Sequence, residues 1–476
     1  MLTAGIEWLS AFAEFIWGGE WGDRRLLPVG IITFALVGAG LYFMVGLRFR
    51  PFRRLGPAFA ALWRGRYSQE AGEITPWQAV STALSGQVGT GNLAGVATAL
   101  TLGGPGAIFW MWVTALIGMA TAFAEGSLAI RFREKHPDDQ YHGGPMYYIR
   151  NGLGASWHWL AVLFCLGTLI SAIVTGNMIQ ANSAVQSVVE AGSSLGVTVP
   201  GWSVGLLLSA LVFLVIIGGI RAIGAVAGKL VPFMALAYVL AAAVVLAVHY
   251  AAIGDALLLI IRAAFGLEQA VGGIAGYGVL AAIRAGVARG LFSNEAGQGS
   301  VPIAHAAART NNPVRQGEIA MVGVFIDTII VCTMTALVIL IVPGQFLSMG
   351  GTETVTYAWQ STDLHASAIT TAAFAQGIPG GQWIVLAAQL LFAFTTLIGW
   401  AYYAEQAIGY LFGDRSAVPF RYVWVVFVFL GTLVLDVTGL WLLGDLSNAA
   451  MLFPNLIAIL ALSGVVFAMA KDSRYA

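Results

Sequence analysis

Two stretches of this sequence place glycines and polar side chains inside otherwise apolar segments. GQVGTGNLAG occupies residues 86–95, and GLFSNEAGQGS occupies residues 290–300. Each glycine weakens a helix by about 1 kcal/mol relative to alanine. At membrane depth, irregular backbone is tolerated only where it lines a cavity inside the protein. We therefore expect two broken helices whose free ends face such a cavity.

The free ends of a broken helix have a defined chemistry. The second half begins with N–H groups that lack helical partners and with the positive end of the helix dipole, which together suit a carboxylate. The first half ends with unpaired carbonyls, which suit a small cation or an ammonium group. A pocket that combines both ends fits a zwitterion, and small amino acids are the obvious candidates.

Other interpretations of the two stretches are weaker. Glycines often serve only close helix packing, and Gly91 and Gly95 have the small-xxx-small spacing. Packing does not explain the adjacent polar residues Gln87, Asn92, Ser293, Asn294, Glu295 and Gln298. GTGNLAG has GxGxxxG spacing and follows no predicted strand, which disfavours a nucleotide-binding loop. VGTG resembles a potassium filter, but that filter needs four symmetric copies.

Ionisable residues inside apolar segments are costly and are therefore candidates for function. They are Glu125, Arg284, Arg289, Glu295, Asp327 and Glu405. We expect Arg289 to pair with Glu295 across the second break. We expect Glu125 to accept hydrogen bonds from the backbone of the first break. Asp327 is a candidate proton or cation site, with a buried ion pair or a backbone-bonded carboxylate as the alternative.

Two pairs of neutral polar residues add further candidates. Thr395 and Thr396 lie together in the apolar stretch FAFTTLIGW. A single threonine usually bonds to its own helix, whereas an adjacent pair offers two hydroxyl oxygens to a dehydrated sodium ion. Asn177 and Gln180 are three positions apart, hence on one helical face, where they could contact a substrate. The histidines show no metal-ligand spacing and receive no role, including His136, His142 and His158.

The composition places these residues in a membrane protein. The 476 residues are 58% hydrophobic and 10% charged, against about 25% charged residues in a soluble domain. Formal net charge is zero, so nothing suggests a nucleic-acid partner. Cys165 and Cys332 lie in apolar runs and are expected to be buried thiols. The N-terminal segment lacks the basic flank of a signal peptide and suits an interfacial helix. Its apolar face would consist of Ile6, Leu9, Ala13 and Trp17.

A membrane span needs about 20 apolar residues, and this measure predicts about eleven spans. Their bounds are Pro28–Leu47, Pro76–Leu102, Gly106–Ile130, His158–Val188, Val199–Gly219, Leu230–Tyr250, Gly272–Ala308, Glu318–Val342, Gln382–Phe412, Tyr422–Leu440 and Leu446–Met469. The two interrupted stretches fall in the second and seventh spans. Each therefore opens a block of five, as in transporters built from inverted repeats.

The distribution of charge predicts the orientation. Lys and Arg cluster in every second connection, whereas the loops around 189–198, 343–381 and 441–445 contain neither. By the positive-inside rule, the N-terminus is outside and the C-terminus is cytoplasmic. The predicted divisions are 1–75 (interfacial segment, extra helix and basic cytoplasmic loop), 76–250 (first repeat), 251–270 (external loop) and 271–476 (second, inverted repeat).

Several longer motifs resemble those of one transporter family. GGPGAIFWMWVTALIG at residues 103–118, with GTGNLAGVATA, HGGPMYYI, GLFSNEAGQGS and FTTLIGW, is similar to the alanine or glycine:cation symporters. These are also called sodium:alanine symporters and belong to the amino acid–polyamine–organocation superfamily. The resemblance implies an all-α membrane protein with the LeuT-type fold. That fold has five plus five inverted spans, here preceded by one extra N-terminal helix.

The same resemblance implies roles for particular residues. The backbone amides of Thr90 and Gly91 would bind the substrate carboxylate. Further substrate contacts would come from Gln180, Phe292, Ser293 and Trp400. A tryptophan beside the pocket would limit the size of the substrate side chain, with helix packing as the alternative role.

Cation positions follow from the resemblance as well. A sodium ion would be held by the carbonyls of Ser85 and Val88 and the hydroxyls of Thr395 and Thr396. Gln87, through its carbonyl, and Asn92 resemble a second cation position. Na⁺ would be the coupling ion.

The predicted function is Na⁺-coupled uptake of small neutral amino acids, alanine or glycine above all. The predicted partners are this substrate and the lipid of a bacterial-type inner membrane, without a protein partner. One alternative is proton coupling through Asp327 or Glu295. A less favoured one is an amino-acid-gated channel or a sensor. No nucleophile–base set is evident, so we predict no enzymatic activity.

Overall fold

The computed structural model describes residues 2–22, 24–136, 140–267, 278–349, 352–360 and 366–475, which are mostly helical. The first half contains α1 (Leu2–Gly18), β1 (Glu20–Trp21), β2 (Arg24–Arg25), α2 (Ile31–Gly46), α3 (Arg50–Arg64), α4 (Pro76–Gln87), α5 (Ala94–Gly103), α6 (Gly106–Phe132), β3 (Glu134–Lys135), β4 (Tyr141–His142), α7 (Pro145–Tyr148), α8 (His158–Ser171), α9 (Ile179–Ser194), α10 (Gly201–Ile216), α11 (Gly219–Val248) and α12 (Ile253–Ala264).

The second half contains α13 (Val279–Asn294), α14 (Val301–Ala306), α15 (Pro313–Val324), α16 (Thr333–Ile341), β5 (Pro343–Met349), β6 (Thr352–Tyr357), α17 (Ser367–Gly377), α18 (Gly381–Phe412), α19 (Ala417–Thr432), α20 (Thr438–Ala461) and α21 (Ser463–Lys471). Successive strands pair as three short antiparallel hairpins. The described residues include three π-helical segments: Ile149–Leu153 follows α7, Ala172–Met178 joins α8 to α9, and Phe325–Cys332 joins α15 to α16. π-helical segments are rare in proteins overall, and those that occur are often found at functional sites.

Many helices are long and apolar enough to cross a membrane. Within the described residues these are Gly106–Phe132, Ala155–Ser194, Gly219–Val248, Pro313–Ile341, Gly381–Phe412 and Thr438–Ala461. The helices Ile31–Gly46 and Arg50–Tyr67 form a further candidate that is bent by 79°. The chain is therefore a multi-pass membrane protein. The total of eleven spans and the five-plus-five layout stay predictions.

One predicted span begins much earlier than expected. Helix α11 starts at Gly219 rather than at Leu230, so Arg221 and Lys229 are helical rather than in a loop. Both side chains are exposed, because long basic side chains extend their charge to water while their stems stay on an apolar surface. The predicted start of the seventh span at Gly272 lies outside the described residues.

The N-terminal helix packs against the rest of the protein. Helix α1 contacts α2 and α20, with Ala13 and Ile16 buried. The Trp17 indole donates to the carbonyl of Asp445 at 3.1 Å. The side chain of Ile6, also predicted for the apolar face, lies outside the described residues.

The two interrupted stretches lie beside each other in the helical core. Helix α6 packs on α13 and α15, and α4 packs on α18. The close approach of α4 to α18 requires Gly399, because a Cβ there would lie 2.3 Å from Ser85 Oγ. Cys165 and Cys332 are free, buried thiols, as predicted.

Candidate functional site

The first break lies between α4 and α5. Gly89 N–H would continue the helix by donating to the carbonyl of Ser85. It donates instead to the carbonyl of Gln87 at 3.0 Å and to Asn92 Oδ1 at 2.9 Å. Asn92 N–H turns back to the carbonyl of Gly89 at 3.2 Å, rather than to that of Val88. The carbonyls of Ser85 and Val88 are thus released from their helical donors.

The second break follows α13. Glu295 adopts a left-handed conformation, with φ of 54°, which is uncommon for a residue with a side chain. Ala296 N–H donates to Asn294 Oδ1 at 3.0 Å, and Gly297 N–H donates to Glu125 Oε2 at 3.3 Å. Neither bond continues the helix. This break therefore also releases the last carbonyls of its first half-helix.

The carboxylates near the second break have partners that differ from the expected ones. Glu295 accepts from Ser300 Oγ at 2.5 Å and from Trp400 Nε1 at 3.1 Å. Arg289 instead lines a separate cavity together with Asp445. The expected Arg289–Glu295 pair is therefore wrong, because the left-handed turn directs Glu295 towards α18.

Glu125 contacts the second break, whereas a contact with the first break was expected. Its carboxylate accepts from Gly297 N–H and from Asn455 Nδ2, the latter at 2.5 Å. Asn455 in turn donates to the carbonyl of Gly297 at 2.9 Å. The expected contact of Glu125 with the first break is wrong. The packing of α6 on α13 places this carboxylate beside the second break.

Two side-chain bridges hold the breaks together. Gln87 Nε2 donates to the carbonyl of Asn294 at 2.5 Å. Asp327 accepts from Asn92 Nδ2 at 2.6 Å and from Ser293 Oγ at 2.8 Å. Thr328 Oγ1 donates to the same carboxylate at 2.8 Å. Asp327 therefore joins both broken helices to the π-helical segment that carries it, through neutral donors.

A small cavity lies between the two breaks. Its lining residues are Gly86, Gln87, Gly89, Gly91, Thr175, Gln180, Phe292, Glu295, Gln298, Thr396, Trp400 and Asn448. The space open to the centre of a water molecule is about 20 Å³, and roughly 10–15 Å³ of such space holds one water. This conformation therefore has room for only a very small occupant.

The predicted substrate contacts divide into two groups. Gly91, Gln180, Phe292 and Trp400 line the cavity. Thr90 N–H points to Gln180 Oε1, at a long 3.4 Å. Ser293 lies behind the cavity, bonded to Asp327. Asn177 is turned away and donates to the carbonyl of Trp424 at 3.0 Å.

Of the two threonines predicted as sodium ligands, Thr396 lies beside the first break and Thr395 lies against α11. Thr395 Oγ1 and Thr396 Oγ1 both donate to the carbonyl of Phe392, at 3.0 and 2.9 Å. A hydroxyl that donates its proton keeps two acceptor lone pairs. Thr396 Oγ1 lies only 2.7 Å from the place of a Cβ at Gly89, so it lies beside the backbone of the first break. Thr395 also contacts Met234 Sδ at 3.5 Å and does not line the cavity.

The indole of Trp400 forms one wall of the cavity. It lies against Gly176, where a Cβ would approach Trp400 Cγ to 2.4 Å. Its ring centroid is 5.5 Å from that of Tyr403, in an edge-to-face arrangement. With Nε1 bonded to Glu295, this side chain is fixed on three sides.

This geometry accompanies a clear family relationship. The family model described as "Sodium:alanine symporter family" matches residues 23–475. The chain belongs to the sodium:alanine symporter family. Family membership makes it a membrane transporter rather than an enzyme.

Relatives align over almost their whole length. An uncharacterized transporter of Haemophilus influenzae is 41% identical, with 98% of this chain and 95% of that protein covered. The sodium/alanine symporter AgcS of Methanococcus maripaludis is 40% identical, with 96% and 95% covered. A putative sodium/proton-dependent alanine carrier protein, YrbD of Bacillus subtilis, is 39% identical, with 93% and 89% covered.

Solved transporter structures share the fold of this symporter-family chain. A Na⁺-coupled sialic acid symporter superposes with a TM-score of 0.53 at 13% identity, covering 92% of this chain and 98% of that one. A manganese transporter of Eremococcus coleocola gives 0.52 at 12% identity, covering 84% and 79%. At these identities the likeness concerns the fold alone.

Asn448 is a part of the cavity wall that was not predicted from the sequence of this family member. Asn448 on α20 accepts from Gln298 Nε2 at 2.9 Å and from Ser171 Oγ at 2.6 Å. This triad connects α8, α20 and the second break. The signal was available, because Ser447 and Asn448 are polar residues within the last predicted apolar span.

Proposed function

We propose that this chain is a secondary active transporter that couples the uptake of a small neutral amino acid, alanine or glycine, to sodium. The observation that carries the proposal is the pair of helix breaks, which are joined to each other by side-chain hydrogen bonds. In the first break, carbonyls lose their helical donors, Thr396 lies beside Gly89, and the Thr90 N–H points to Gln180 in the wall of a small cavity. Carbonyl oxygens on one side and free amides on another complement a sodium ion and a carboxylate, respectively.

The amino-acid end of the site would form around the first break. The amides of Thr90 and Gly91 would bind the substrate carboxylate. The long Thr90–Gln180 bond is weak enough for a charged carboxylate to replace it, since bonds to charged groups are stronger. Phe292 and Trp400 face the same cavity, so they would restrict the substrate to a small side chain.

The sodium end would form between α4 and α18. Ser85 and Val88 would supply carbonyls and Thr395 and Thr396 would supply hydroxyls, all oxygen ligands as a hard cation prefers. Because the Thr396 proton is held by Phe392, its lone pairs are the part free to coordinate. Sodium would thereby fix the first break in the conformation that presents the Thr90 amide.

A second cation position would lie deeper in the first break. Its ligands would be Asn92 and the backbone carbonyl of Gln87, which accepts from Gly89 N–H at 3.0 Å in this structure. Asn92 is held by Asp327 nearby. Oxygen ligands close to a buried carboxylate would be a suitable environment for a cation.

Coupling follows from this shared backbone. If sodium organises the break that binds the amino acid, it raises the affinity for the amino acid, and the amino acid raises the affinity for sodium by the same factor. Alternating access would then move the linked breaks relative to the helices around them. The Gln87–Asn294 and Asn92–Asp327–Ser293 bridges would keep the two breaks together during that movement.

Proton coupling is the second candidate. Asp327 and Glu295 are buried carboxylates whose hydrogen-bond partners in the described chain are neutral side chains. A carboxylate without a cationic partner in such a place is suited to bind either a proton or a metal cation. The Bacillus relative is described as sodium/proton-dependent, which keeps this alternative in view.

The deciding experiment is uptake of labelled L-alanine into proteoliposomes with an inward sodium gradient or a matched potassium gradient. Accumulation above equilibrium with sodium alone is the expected result. Competition by glycine and D-alanine then defines the substrate range. Equal uptake in both salts would show that sodium is not the coupling ion and would favour proton coupling. Binding without uptake would indicate a sensor, and currents far above carrier turnover would indicate a channel.

A further inference from the structure

Two histidines and an aspartate converge outside the transport site. His136 follows strand β3, His142 ends strand β4, and Asp414 lies in the connection between α18 and α19. His136 Nδ1 is 2.8 Å from Asp414 Oδ2, and His142 Nδ1 is 3.8 Å from Asp414 Oδ1. One ligand atom from each residue lies within 4.8 Å of the other two.

The two imidazole rings are held parallel. Their centroids are 4.0 Å apart with 9° between the ring planes, and His142 is 5% exposed. The ring of Tyr147 packs edge-on against both, at 6.3 and 6.4 Å. Both imidazoles therefore lie beside one carboxylate, and because their planes are parallel, one ring must turn before both can direct an in-plane lone pair at a single ion.

We propose that His136, His142 and Asp414 form a binding site for a divalent transition metal, with Zn²⁺ as the best fit. In a tetrahedral zinc site the metal lies about 2.0–2.1 Å from each ligand, so the ligand atoms are about 3.4 Å apart. The observed separations of 2.8 and 3.8 Å lie on either side of that value. Rotation of one imidazole out of the parallel stack would complete the geometry.

The donor set selects the kind of metal. Two imidazole nitrogens and one carboxylate oxygen suit zinc and its neighbours, whereas calcium and magnesium require oxygen ligands. Three protein ligands leave one position for water, as in open zinc sites. Glu134 Oε2 lies 3.9 Å from His136 Nε2, beyond hydrogen-bond distance, and a small shift towards the ring would let it orient the ligand.

The site joins two separate parts of the chain. The β3–β4 hairpin follows α6, and Asp414 directly follows α18. Both helices contribute to the core around the helix breaks. A bound metal would fasten the ends of these two helices to each other.

Calorimetric titration of the purified full-length protein with ZnCl₂ tests the proposal. We expect one Zn²⁺ per chain, with affinity about tenfold or more lower in Asp414→Asn and in His136→Gln, since even changes behind the ligands of a metal cost 10–100-fold. Asp414 is exposed, so its replacement tests the site without disturbing the core. CaCl₂ at the same concentration should give no such binding.

The matched control is His158→Gln. This histidine belongs to the same region but bonds to Tyr410 Oη at 3.1 Å, outside the cluster. This variant should bind zinc as the unmodified protein does. X-ray absorption of the unmodified protein loaded with zinc should show nitrogen ligands. Absence of zinc binding, or equal binding by the protein and its Asp414→Asn and His136→Gln variants, would show that the cluster is a hydrogen-bonded contact only.

Discussion

Thr396→Val is the substitution that most directly tests the proposed sodium site. Valine has nearly the same shape as threonine and the same preference at χ1, so the change removes one hydroxyl oxygen and little else. In the structure that hydroxyl donates to the carbonyl of Phe392 and lies beside Gly89. Loss of the bond to Phe392 costs at most about 1 kcal/mol, because that carbonyl is an ordinary helical acceptor.

The expected loss in sodium binding is much larger. An interaction between a polar group and a charge contributes about 1.5–3 kcal/mol, and each 1.4 kcal/mol is tenfold in affinity. The sodium concentration for half-maximal uptake should therefore rise about tenfold to a hundredfold. The melting temperature should change by no more than about 3 °C.

The assay is labelled alanine uptake into proteoliposomes over a series of sodium concentrations. Thr168→Val is the matched control, since Thr168 is fully buried and its hydroxyl donates to the carbonyl of Phe164 at 2.8 Å, the same intrahelical bond. The control should retain normal sodium dependence. If Thr396→Val and Thr168→Val have the same half-saturating sodium concentration as the unmodified protein, Thr396 is not a ligand.

Three further outcomes follow from the structure. Asp327→Asn leaves one side-chain oxygen to accept from the three groups that now donate to the carboxylate. Uptake should be lost and the melting temperature should fall by several degrees. Unchanged uptake would exclude a role of Asp327 in coupling. Gly89→Ala places a Cβ 2.7 Å from a stiff threonine hydroxyl and should abolish uptake, while Gly95→Ala, with nothing within 4 Å, should not. Hydrogen bonds from Arg284 and then Arg25 hold the pKa of Glu20 below its ordinary 4.5. Its stabilisation is thus complete above pH 4.5 and is lost as pH falls through the lower folded value; Glu20→Gln should weaken that acid dependence in thermal unfolding, and an identical profile would contradict it.

The helix breaks were predictable because their cause is local. Glycine and polar side chains in GQVGTGNLAG and GLFSNEAGQGS destabilise a helix at the residues where they occur, and both breaks are found there. The proximity of Thr396 to the first break agrees with the expectation from the family resemblance. Its role in sodium binding stays a prediction.

Side-chain partners across the fold were not predictable in the same way. Asp327 meets Asn92 and Ser293 only because the π-helical segment Phe325–Cys332 packs against α13 and against Thr90–Asn92, and no spacing in the sequence encodes that packing. Arg289 and Glu295 illustrate the reverse case. They are close in sequence and opposite in charge, yet a single left-handed residue turns the carboxylate to another helix. The His136–His142–Asp414 cluster likewise depends on a distant loop.

The π-helical segment Phe325–Cys332 makes the position of Asp327 depend on helix register. A π turn accommodates one residue more than an α turn, and one residue corresponds to about 100° of rotation around a helix. Deleting a single apolar residue from this segment would convert it to α-helix and swing the carboxylate to another face, while the rest of α15 and α16 kept its sequence. In related chains, a one-residue gap at this point would thus remove the Asp327 bridge, leaving only the Gln87–Asn294 bridge between the breaks, without changing any of the residues that now link them.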